Sequence, residues 1–132
     1  MSTISAANIS DGTTTVGTEY VVQGSTKAWV NYDQAGTFTT RASFNVSSTT
    51  DVSEGDAQAY FTSVFADTDY LQQATAGGTG GSDGDESFIA FGGFNLLQVG
   101  RSCLLRTRRG SGNYTGKMDA HCVMYSATGD LA

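Results

Sequence analysis

Along residues 27–33 (KAWVNYD) apolar and polar positions alternate, with Trp29 and Asn31 on one face and Ala28, Val30 and Tyr32 on the other. A period of two is that of a β-strand, and β-branched and aromatic side chains suit its pleated surface. Residues 34–36 (QAG) supply a turn in which Gly36 is able to take a positive φ. Residues 37–40 then return as a second strand, so the segment reads as a hairpin. A second hairpin follows, with strands at 46–50 and 57–63 around the turn 53–56 (SEGD). The centre of the chain is therefore expected to be a β-meander.

The flanking segments extend this pattern. Residues 1–26 hold few large apolar groups before Tyr20, Val21 and Val22, and Asp11-Gly12 marks a turn. A segment this polar is expected to form an arm, 1–26, outside a β-sandwich domain, 27–132. Past the meander, a loop through Asp67, Thr68 and Asp69 leads to a strand at 70–75. A glycine-rich loop at 77–85 precedes a short apolar strand at 87–91, and 94–99 continues the sheet or crosses between sheets. The fold class is all-β, an antiparallel β-sandwich or jelly-roll-like domain with a polar N-terminal arm. Trp29 is expected to anchor its core, although the alternation sets it on the face of Lys27 and Asn31.

Composition agrees with this reading. The chain has 132 residues, 17 of them glycine and none proline, as suits one domain rich in tight turns. No helical periodicity persists beyond two turns. Only 15% of residues are charged, so most of the surface is hydroxyl and amide. A net charge of −6 argues against nucleic acid as a partner, because phosphate binding needs clustered Lys and Arg. The first residues carry no signal-peptide pattern, and no stretch approaches a membrane span, so synthesis in a cytoplasm is expected.

The charge is unevenly placed. Residues 1–100 set Lys27 and Arg41 against eleven acids, whereas 101–132 hold Arg101, Arg106, Arg108, Arg109 and Lys117 against Asp119 and Asp130. Those five cations are a candidate assembly contact. They fall on a predicted hairpin whose strands, 101–109 and 114–127, flank the tip 110–113. In one register Cys103 faces Cys122, Leu105 faces Ala120, Thr107 faces Met118 and Arg106 faces Asp119, while Arg108 meets Lys117. The two cysteines are read as free buried thiols, with a Cys103–Cys122 disulfide as the alternative once the protein is outside the cell.

No catalytic, cofactor or metal site is expected. Ser82-Asp83-Gly84-Asp85-Glu86 has carboxylates at alternate positions but lacks the other ligands of a calcium loop, and reads as a solvated acidic loop. Residues 77–81 lack the lysine and the strand-to-helix context of a phosphate loop. His121 is the only imidazole and reads as structural. Asp67 and Asp69 are the carboxylate pair that a glycoside-cleaving enzyme would use.

The run KAWVN at 27–31, followed by SFNVSS at 43–48, the acidic glycine turn SEGD and the aromatic strand ending in Asp67 to Tyr70, carries a resemblance. It resembles a domain of tailed-bacteriophage virion proteins, of the tail-fibre or capsid-fibre type, as in phages of marine bacteria. The resemblance covers about residues 20–70 and brings no catalytic residues. It implies a structural component of a virion, homotrimeric, contacting other virion proteins and involved in attachment to a host-surface glycan or protein. The alternatives are a capsid decoration protein bridging shell subunits and, from another class, a small polysaccharide depolymerase.

Overall fold

The strand predicted from 27–33 forms as β3 (Thr26–Asp33), and its alternation is the pattern of burial. Ala28, Val30 and Tyr32 are buried and Trp29 is exposed. The computed structural model describes residues 5–77, 87–92, 98–102, 104–109 and 116–132, with the backbone alone at 87–92, 104 and 109. Before β3 come β1 (Asn8–Ser10), β2 (Thr15–Gly17) and the helix α1 (Thr18–Gly24). After it come β4 (Thr39–Phe44), β5 (Val46–Ser53), β6 (Asp56–Phe61), β7 (Leu71–Gly77), β8 (Ser87–Gly92), β9 (Leu104–Arg109) and β10 (Cys122–Thr128).

Two four-stranded antiparallel sheets, in the orders β4-β3-β10-β7 and β5-β6-β9-β8, make the sandwich. Their inner faces share one core. Ala28, Val30 and Tyr32 of β3 and Val123, Tyr125 and Ala127 of β10 meet Ala57, Ala59 and Phe61 of β6 and Leu105 of β9. The rings of Phe61 and Tyr125 stack across the sheets with centroids 6.4 Å apart, and Phe65 and Tyr70 stack at 4.1 Å beside them. Burying such aromatic area is the main favourable contribution to folding. The all-β sandwich expected from the alternation is the observed fold.

Both expected hairpins form, β3–β4 in one sheet and β5–β6 in the other. The chain changes sheets between them at one residue, Asn45, whose φ of 54° is left-handed. Asparagine tolerates that conformation better than most residues. Its side-chain amide also clamps the far end of β6, accepting from the Ser63 amide at 2.7 Å and donating to the Ser63 carbonyl at 3.0 Å.

The arm is more ordered than its composition predicts. The hairpin β1–β2 runs directly into α1, a helix of two turns without a single buried residue. Among the described residues no helix is long and apolar enough to cross a membrane.

The predicted hairpin of 101–109 and 114–127 needs correction. Its register holds at one place, where Arg108 pairs with Lys117 and the Met118 amide donates to the Thr107 carbonyl at 3.2 Å. Beyond that place the strands part into different sheets. β9 pairs with β6 and β8, and β10 with β3 and β7, so Leu105 faces Ala57 and Phe91 and not Ala120. The wide sandwich core takes both apolar strands, one on each layer, where a two-stranded ribbon would leave a face of each in water.

Candidate functional site

The exposed side chains on the outer face of the β4-β3-β10-β7 sheet form a site by register alone. Two cross-strand rows run across the four strands. One is Phe44, Trp29, Ser126, Gln73 and the other is Ala42, Asn31, Met124, Thr75. Such rows bring Cβ atoms within about 5 Å, so each row acts as a continuous surface. Trp29 is 40% exposed, Phe44 56% and Met124 48%. A concavity of about 440 Å³ lies over β3, β10 and β7 on this face, lined by Trp29, Asn31, Gln73, Thr75, Met124 and Ser126 with Val30, Ala74 and Tyr125 between them; Phe44 stands outside it.

This corrects the expectation that Trp29 anchors the core. The alternation that places Val30 and Tyr32 inside obliges Trp29 to point outward, and the largest apolar side chain of β3 thus stands in solvent. None of the eight side chains is ionisable. The Asn31 amide is oriented from one side, because its Oδ1 accepts the thiol of Cys122 at 3.8 Å, which leaves its Nδ2 to donate elsewhere.

Asp33, Arg41 and His121 close the Asp33 end of β3. Arg41 bonds Asp33 at 2.7 Å, His121 Nδ1 lies 3.6 Å from the other carboxylate oxygen, and the Ala35 amide donates to Asp33 at 2.9 Å. Partial burial pushes the Asp33 carboxyl up, but the Ala35 amide and the Arg41 guanidinium together hold it below the ordinary carboxylate value.

The predicted assembly cations whose side chains are described, Arg101, Arg106, Arg108 and Lys117, have different surroundings. Arg106 grips Asp56 with two bonds, of 2.7 and 3.1 Å, and Lys117 bonds the same carboxylate. Asp56 is only 3% exposed, so both charges neutralise a buried partner. Burial raises the Asp56 pKa, yet the Arg106 and Lys117 contacts more than offset this and keep it below the ordinary value. The predicted Arg106–Asp119 pair is thus replaced by Arg106–Asp56, while Asp119 accepts the Gly55 amide at 2.7 Å. Arg101 bonds the side chains of Gln98 at 2.8 Å and Gln58 at 3.1 Å. Arg108 is half-buried in β9, and the side chain of Arg109 lies outside the described residues.

Cys122 is a free thiol at the start of β10, and its expected neighbour Cys103 lies outside the described residues, as do the acidic loop 82–86 and the hairpin tip 110–113. The Asp67 carboxylate accepts the Asp69 amide at 2.8 Å and so shapes its own turn. Among the described residues no group of three or more His, Cys, Asp and Glu converges on a metal position.

Fold and site together define a class: an all-β sandwich presenting on one outer side two uncharged rows of aromatic, thioether, amide and hydroxyl groups, with Lys27 and Asp33 at the two ends of β3 on the same face. Comparison with protein families, curated proteins and solved structures found no match.

Proposed function

We propose that the chain is a structural component of a tailed-phage virion, of the fibre or spike kind, held by its arm and displaying the sandwich towards a host surface. The arm carries this reading. Ile9, Tyr20, Val21 and Val22 are 48%, 70%, 42% and 56% exposed, on a hairpin and helix that bury almost nothing against the sandwich. A helix of seven residues draws its stability from packing, not from propensity. Its natural packing partner is another chain, and in this reading that chain is a neighbouring virion protein or a second copy in a homotrimer. The KAWVN and SFNVSS motifs support the same assignment: KAWVN lies in β3, and SFNVSS runs from the end of β4 through Asn45 into β5 of the other sheet.

The test is on assembled particles. Purified virions should contain the chain at a fixed copy number, located at the tail or on the shell by labelled antibody. Tyr20→Asp with Val22→Asp should abolish incorporation while leaving the melting temperature of the isolated protein unchanged. Particles that lack the chain, or that take up the double variant as well as the wild type, overturn the reading.

A further inference from the structure

We infer that the outer face of the β4-β3-β10-β7 sheet is a saccharide-binding site, in which a neutral sugar ring lies against Trp29 and its hydroxyls meet the side chains of Asn31, Gln73, Thr75 and Ser126. Three observations on the face point to that ligand and not to another. The first is the lack of charge in its two rows. In a chain of net charge −6, the eight residues of the two rows include no acid and no base. The charges that β3 adds to this face, Lys27 and Asp33, stand at its two ends, bonded to the Val22 carbonyl and to Arg41. The rows themselves therefore complement neither a phosphate nor a charged peptide. The second is the mixture of groups. A pyranose has a face of C–H bonds and a rim of hydroxyls. The electron-rich face of an indole attracts the weakly positive C–H edges. Amides and hydroxyls beside it supply both donors and acceptors for the rim.

The third is size. Four strands at ~4.8 Å spacing and two rows ~7 Å apart make a patch on the order of 150 Å², far below the ~800 Å² per partner of a stable protein interface. The concavity of about 440 Å³ falls within the range of small-molecule sites and takes a short sugar chain laid along the sheet. Both loss of the indole's water and rigid placement favour binding, since the residues stand on paired strands and lose little freedom when the sugar arrives.

The site takes from the attachment reading only the source of its ligand, a host-surface polysaccharide; binding itself is a property of the isolated chain. Trp29 is the only tryptophan, so its fluorescence reports from the site alone. The full chain is titrated with the methyl glycosides of glucose, galactose, mannose and N-acetylglucosamine and with their disaccharides. At least one should give a saturable spectral change with a millimolar or tighter midpoint, equal at low and high salt. Asn31→Ala and Gln73→Ala, which keep the fluorophore, should each weaken that midpoint about 3-fold or more, as loss of a hydrogen bond requires. Trp29→Ala, followed by calorimetry, should abolish binding with an unchanged melting temperature.

Absence of a saturable change with every glycoside overturns the inference, as does calorimetric binding that survives Trp29→Ala. A dimer in sedimentation that Trp29→Ser dissolves, without glycoside binding, reassigns the face to self-association. The two readings fail separately. A chain that binds a glycoside but is missing from virions keeps the site and loses the virion role. A chain that is present on virions but binds no glycoside does the reverse.

Discussion

Gly55 stands where three segments meet, in the turn between β5 and β6. Its amide donates to Asp119, its carbonyl accepts the Thr107 amide at 2.7 Å, and its φ of 68° is left-handed. A Cβ built there would lie 2.7 Å from both the Thr107 carbonyl oxygen and the Met118 nitrogen. Gly55→Ala should therefore destabilise the domain by more than the roughly 1–2 kcal/mol that left-handed backbone alone costs. Gly36→Ala, also at positive φ but with open space around it, should cost only that backbone part. Urea denaturation of both variants separates the two contributions. Trp29 supplies the opposite case. Leu105 is fully buried, and Leu105→Ala should cost about 2–5 kcal/mol, whereas Trp29→Ala should stay within about 1 kcal/mol. Equal losses in thermal unfolding would contradict the outward placement of the indole.

Asp56 adds a dependence on pH at the same scale. Its folded pKa lies below the unfolded value, so the ion pair stabilises the domain above the ordinary carboxylate value. That contribution disappears as the pH falls from about 4 through the lower folded-state value. In Asp56→Ala the slope of stability against pH over this window should flatten. Its stability at neutral pH should drop by roughly 3 kcal/mol, because Arg106 and Lys117 are left facing a partly buried vacancy of charge. An unchanged acid slope would show that Asp56 is not the group titrating.

At the scale of elements, alternation made β3 readable, because one of its faces lies against the core and a period-two pattern reports that directly. By contrast β5, with no buried residue, and β6, buried on both faces, were legible through the SEGD turn between them. The outer site was readable in part for the same reason: Trp29 and Asn31 fall on one face in the sequence, but their neighbours do not. Met124, Gln73 and Phe44 join them only through pairing between strands far apart in the chain, which no local pattern encodes. The parting of β9 and β10 was hidden likewise. The alternation of β10 fits any apolar partner surface, and one end of the expected register does exist at Arg108 and Lys117. The helix α1 gave no signal because it has no buried stripe to write a 3.6-residue period. The same lack of burial predicts its behaviour in solution. Backbone amides of α1 should exchange with solvent orders of magnitude faster than those of β3 and β10, as measured by native-state hydrogen exchange. Comparable protection in an isolated, monomeric sample would mean that the arm is held by the sandwich itself.

For the molecule as a whole, β4 and β5 are the outer strands of their respective sheets and adjoin through Asn45, so one flank carries two open edges. All six residues of β4 are exposed. Proteins usually cover or blunt such edges, and the homotrimer proposed above would do so. Sedimentation at micromolar concentration should then give three times the 13.8 kDa chain mass, and a monomer at every concentration would count against it.

The order in which the strands are laid down has a further consequence. β10 occupies the middle of its sheet, between β3 and β7, so those two strands are joined only through residues 122–128. During synthesis, β3 and β7 therefore emerge from the ribosome with a strand-wide gap between them and the Phe61 ring without its partner Tyr125. Closure is a single late event of high contact order, and until it happens the nascent chain exposes unpaired edges prone to intermolecular pairing. A chain arrested before residue 122 should be trapped by chaperones or aggregate, and a synthetic peptide of the β10 sequence should rescue it in trans.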